Sequence, residues 1–93
     1  MSEVVYVLTN EAMPGLVKIG RTSVNVDQRI RELDTTSVAL PFQCFYAAEV
    51  ADAAKVERGL HRIFSDKRIR LNREFFRVDA NQVREAILLA QLK

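Results

Sequence analysis

The sequence predicts one α+β domain, a small and mainly antiparallel sheet flanked by helices, with the element order β-β-α-β-α-β-α across residues 1–93. Three observations lead there. Two β-branched runs, residues 4–8 and 16–22, flank a segment whose Asn10, Pro14 and Gly15 supply turn chemistry. Apolar residues then recur at helical spacing in three later segments, each opened by a capping residue. Between those segments lie two further extended apolar stretches.

The first two runs read as an antiparallel hairpin with a loop longer than the tightest kind. Alternation with a period of two places Val5, Val7, Val17 and Ile19 on one face as core. Tyr6, Lys18 and Gly20 share the other face, a phenol beside an amine. A register that pairs Tyr6 with Lys18 would hold their Cβ atoms roughly 5 Å apart. Gly20 lets the backbone bend or approach another group closely at the strand end.

Residues 22–25 offer caps, Ser23 or Asn25, for a first helix in which Val26, Ile30 and Leu33 form the apolar stripe. Arg29 lies at the margin of that stripe and looks over the sheet, while Arg31 and Glu32 look outward. Pro41 ends the next loop, and residues 42–50 read as a third strand whose imperfect alternation suits a central strand covered on both faces. Asp52 caps a second helix running to about Phe64, with Ala53, Val56, Leu60, Ile63 and Phe64 inward and Lys55, Arg58 and Arg62 outward. Glu57 and His61, four residues apart, fall on the border between these zones. Residues 65–73 form a basic loop, and residues 74–78 a short extended segment in which Phe75 and Phe76 are core. Asp79 or Asn81 caps the last helix, with Val83, Ala86, Ile87 and Ala90 inward. Leu88 and Leu92 lie on its far side, against a neighbouring segment or in a homodimer contact.

The composition is that of an ordinary soluble globular domain, 48% hydrophobic and 28% charged. The apolar runs are too short to span a membrane, and the N-terminus lacks a signal-peptide layout, so a cytoplasmic protein is expected. Cys44 is the single cysteine, which excludes an intramolecular disulfide and a cysteine zinc cluster; its apolar surroundings suggest a buried thiol. The net charge of +2 is unevenly distributed. Residues 1–54 carry four basic and seven acidic side chains, whereas residues 55–77 carry eight basic and three acidic ones. Such a local excess is either a solvated face or the footprint of a polyanion binder.

A tyrosine in the first strand (residues 4–6), Lys18-Ile19-Gly20 in the second, Arg29 in the next helix and Glu57 in the one after resemble the GIY-YIG nuclease superfamily. The likeness is best to its compact phage and bacterial branch, whose second motif reads Lys-Ile-Gly, and Glu74-Phe75-Phe76 resembles the segment that closes that branch. It covers roughly residues 4–78. Lys18 stands where other members have the second tyrosine, and Asn72 is the candidate for the family's late asparagine.

The resemblance implies a divalent-metal-dependent endonuclease acting on DNA. Glu57 would bind Mg²⁺ or Mn²⁺, and Arg29 would grip the phosphate with a forked pair of hydrogen bonds. Tyr6 would orient or deprotonate the attacking water, with Lys18 beside it favouring phenolate. His61 would relay protons or brace Glu57. Arg21, Lys67, Arg68, Arg70 and Arg73 are the candidate nucleic-acid contacts. Other readings stay open: Arg29 and Glu57 as a structural ion pair, or a nucleic-acid-binding module that keeps the scaffold and basic segment without turnover. In either case the expected partner is DNA, with a homodimer through the C-terminal helix.

Overall fold

The computed structural model describes residues 3–35, 39–69 and 74–92. In chain order these form β1 (Glu3–Thr9), β2 (Val17–Thr22), α1 (Val26–Leu33), β3 (Gln43–Val50), α2 (Ala53–Ile63), β4 (Phe75–Phe76) and α3 (Ala80–Ala90). The predicted order is therefore the observed one. Among the described residues the strands make one four-stranded sheet, β3-β1-β2-β4, with every neighbouring pair antiparallel.

The β1–β2 loop is held from within. Asn10 is buried; its Oδ1 accepts the Ala12 N–H at 2.8 Å and its Nδ2 donates to the Leu40 carbonyl at 2.7 Å. Gly15 closes the loop at φ +83°, a left-handed conformation that glycine adopts without steric cost. The resulting register sets Tyr6 opposite Gly20 and Leu8 opposite Lys18. Tyr6 and Lys18 are thus diagonal rather than direct cross-strand partners.

Both sheet faces are covered. Val5, Val7, Val17 and Ile19 pack with Ala53 and Leu60 of α2, Val83 and Ile87 of α3, and Phe76. On the other face Tyr6, Leu8 and Phe42 form a second, smaller cluster beneath Val26, Ile30 and Leu33 of α1. The supposed polar floor is therefore mostly apolar and roofed by a helix. Burying that second surface contributes stability at roughly 25 cal/mol per Å² of apolar area.

Several expectations about β3 and α2 are corrected. The central strands are β1 and β2; β3 is an edge strand, bonded along its length to β1. Its register with β1 shifts between Val7 and Leu8, which leaves Phe45 as the extra residue of a bulge. A bulge inverts the alternation, and this explains the imperfect pattern that suggested two covered faces. Cys44 is exposed, not buried. Ile63 is 64% exposed, because α2 ends there and Phe64 takes the inward place.

The helix ends follow the cap chemistry. Asn25 Oδ1 accepts from the Asp27 and Gln28 N–H groups, Asp52 from Lys55, and Asp79 from Asn81. Glu3 adds a second acceptor to α2, taking the Ala53 N–H at 2.8 Å. Past α3 the chain returns to the sheet: Gln91 bridges Val50, Leu92 N–H donates to the Glu49 carbonyl, and the Tyr46 hydroxyl bonds Gln91 Oε1. No helix among the described residues is long and apolar enough to cross a membrane.

Candidate functional site

Tyr6 sits at the centre of the sheet because β1 is a central strand, and its ring fits only because Gly20 lies opposite. A Cβ at position 20 would meet the phenol oxygen at 2.6 Å. The hydroxyl is sealed from solvent and has no hydrogen-bond partner among the described residues. Arg29 of α1 comes close enough to act on it without closing a well-formed bond. Burial pushes the phenol's pKa above its ordinary value; Arg29 pulls it back, while Glu74 and Glu57 push it further up. The free phenol is thus neutral at physiological pH. This corrects the expectation that Lys18 beside it yields a phenolate.

Lys18 is buried, yet its ammonium has another partner. Nζ lies 2.8 Å from Glu74 Oε2 and 5.5 Å from the centroid of the Phe75 ring. A buried ammonium requires an anion close by, and Glu74, the residue just before β4, supplies it. In the sequence Glu74 stands out only as the first residue of an aromatic segment. An acidic residue entering a strand that pairs with a buried lysine's own strand was the signal to use.

Arg29 and Glu57 do not pair with each other. Arg29 Nη1 reaches Glu32 Oε1, three residues on in α1, at 3.2 Å. Glu57 Oε1 instead accepts from Arg21 Nε at 3.3 Å, so the candidate phosphate contact Arg21 and the candidate metal ligand Glu57 form one pair. His61 Nε2 lies 3.0 Å from the Ile19 carbonyl, and its ring packs on Phe76 at 5.0 Å. Because the carbonyl accepts, Nε2 carries the proton. His61 thereby binds the edge of β2 just beyond the two residues paired with β4, rather than bracing Glu57.

The expected residues do not all lie on one face of the sheet, and this too is a correction. Tyr6, Lys18 and Gly20 share the α1 face with Arg29, whereas α2, which bears Glu57, packs against the other face. Arg29, Glu74 and Glu57 nonetheless lie within electrostatic range of the Tyr6 hydroxyl, Glu57 with the smallest effect on it. Glu57 keeps about a fifth of its side chain exposed. Among the described residues no three His, Cys, Asp or Glu side chains cluster as a metal cage. Glu57, paired with Arg21, would offer a divalent ion a single carboxylate, which is compatible with Mg²⁺, an ion that takes one or two protein carboxylates and keeps several waters.

The basic segment is partly described. Lys67 and Arg68 are exposed, Lys67 3.9 Å from Asp66 and Arg68 over the Phe76 ring at 5.3 Å. Arg70, Asn72 and Arg73 lie outside the described residues.

The fold defines a small α+β domain whose central hairpin buries a phenol and an ammonium. By sequence, residues 3–91 match the T5orf172 domain, and the chain belongs to that family. No curated protein and no solved structure matches it.

Proposed function

We propose that this chain is a divalent-metal-dependent endonuclease of the GIY-YIG type, hydrolysing phosphodiester bonds in DNA. The observation that carries this reading is the Tyr6 hydroxyl, buried without a partner and close enough to Arg29 to feel its charge. A buried unsatisfied hydroxyl costs about 1–3 kcal/mol, and a catalytic role is one reason a fold retains such a group. Membership of the T5orf172 family over almost the whole chain is compatible with it.

Glu57 would hold Mg²⁺ or Mn²⁺. Such an ion neutralises phosphate charge and acidifies water. Arg29 would turn from Glu32 to the phosphate oxygens; its present partner is weakly held, since exposed ion pairs contribute about 0–1 kcal/mol. Tyr6 would hold the attacking water through its oxygen. The neutral phenol would yield its proton only under added positive charge, which Arg29 would lend. Arg21, Lys67, Arg68, Arg70 and Arg73 would contact the backbone of DNA. Plasmid nicking with Mg²⁺ or Mn²⁺ tests the reading. Cleavage should disappear in Glu57→Ala and Arg29→Ala; cleavage that survives both would overturn it.

A second reading, a nucleic-acid-binding module without turnover, draws on two observations: Glu57 is already neutralised by Arg21, and the phenol is held protonated. It predicts binding that weakens steeply with salt, through counterion release, and no metal-dependent cleavage.

A further inference from the structure

Helices α2 and α3 leave an open groove of about 590 Å³ between them. Val56 and Leu60 line it from α2, Ala86 and Ala90 from α3. Ile63 and Leu89 stand at its two sides, 64% and 92% exposed, so nothing among the described residues covers them. Apolar side chains this open are stabilised when a second surface takes them out of water. Gly59 lies in the same groove, in the middle of α2. A glycine there weakens a helix relative to alanine, and a Cβ on it would meet no atom within 4 Å. The chain's own packing therefore does not call for this glycine. The missing side chain leaves a hole for a group from outside.

The two banks of the groove differ in charge. On α2, Lys55, Arg58 and Arg62 are all exposed, and helical spacing sets Lys55 and Arg62 beside Gly59. On α3 the charged residues are Arg84, whose guanidinium lies over the Phe45 ring of β3 at 5.6 Å, and Glu85, exposed one turn before Leu89. The free face of α3 is thus acidic and that of α2 basic. Two copies related by a two-fold axis bring each α3 bank against the other's α2 bank. We propose that this groove is a homodimer interface, in which Leu89 of each copy seats over Gly59 of the other and Glu85 meets Lys55 or Arg62. Lys55 lies one turn before Gly59 and Arg62 nearly one turn after it, so a base faces the carboxylate whichever way the helices run. A DNA backbone would gain nothing from so apolar a lining. Tyr6, Arg29 and Glu57 take no part in the groove, so the dimer goes beyond the endonuclease reading and does not depend on it.

The test is sedimentation equilibrium of the intact chain from micromolar to millimolar concentration. The parent should dimerise as concentration rises. Gly59→Leu fills a hole that the single chain leaves empty, and it should weaken dimerisation at least tenfold. Circular dichroism and thermal unfolding of the dilute variant should match the parent or exceed it. Glu85→Lys should also weaken the dimer, and so should Lys55→Glu combined with Arg62→Glu. All three reversals in one chain should restore it, because each charge again meets its opposite across the two-fold axis. A parent that stays monomeric over the whole range would overturn the proposal and leave the groove to a different protein. A dimer indifferent to Gly59→Leu, or charge reversals that fail to rescue one another, would overturn it as well.

Discussion

The Tyr6 ring occupies the space that a side chain at position 20 would fill. A Cβ on Gly20 would stand 2.6 Å from the phenol oxygen and 2.8 Å from the carbon bearing it, both closer than real Cβ contacts come. Gly20 therefore serves the phenol rather than its own backbone; no positive φ is involved, since Gly15 is the glycine that has one. Gly20→Ala should displace the ring from its seat in the second core. The expected result is a loss of about 1–3 kcal/mol in denaturant unfolding and of at least tenfold in cleavage. A variant with parental stability and activity would show that the ring has room to move.

Tyr6→Phe removes the buried, unpartnered hydroxyl and keeps the ring. It should raise stability by about 1 kcal/mol in urea unfolding while abolishing cleavage. Because the folded-state pKa lies above the ordinary 10.0, the unfolded chain loses this proton first as pH rises. Parental stability should thus be unaffected by this group below pH 10 and fall above it, until the folded-state value is passed. In Tyr6→Phe that alkaline loss should be smaller.

The Lys18–Glu74 pair should respond unequally to truncation. Lys18→Met leaves a carboxylate that already meets solvent, and the change in stability should be small. Glu74→Ala strands a buried ammonium and should cost about 2 kcal/mol or more in the same unfolding assay. Equal losses would mean that Lys18 can reach water.

Arg21→Ala releases Glu57 from its cation. Stability should change by less than about 1 kcal/mol, since the arginine is half exposed. With the competing charge gone, half-maximal cleavage should require less Mg²⁺ than in the parent. A higher requirement would mean that Arg21 orients Glu57 rather than competes for it.

The C-terminal helix exposes a leucine other than the two named for a homodimer contact. Leu88 and Leu92 are about half exposed, Leu92 beside the sheet edge that its N–H joins, whereas Leu89 is 92% exposed. If α3 mediates self-association, Leu89→Glu should lower the sedimentation-measured dimer fraction without changing the fold. A parent that remains monomeric at all accessible concentrations would remove the homodimer from consideration.

The sequence by itself determined the element order, the Asp52 start of the second helix and the core face of Val5, Val7, Val17 and Ile19, and it narrowed the other helix starts to Ser23 or Asn25 and to Asp79 or Asn81. Each of these follows from local rules, namely cap chemistry and the period of apolar residues, that act over a few positions. Only the tertiary structure decided that β3 is an edge, that Cys44 is exposed, and that Arg29 turns to Glu32 while Glu57 turns to Arg21. A bulge at one residue inverts every side chain beyond it, and an ion pair is chosen by which backbones the fold brings within a few ångströms. The same reason hid the partner of Lys18: Glu74 is far from it along the chain, and only the pairing of β4 with β2 makes them neighbours.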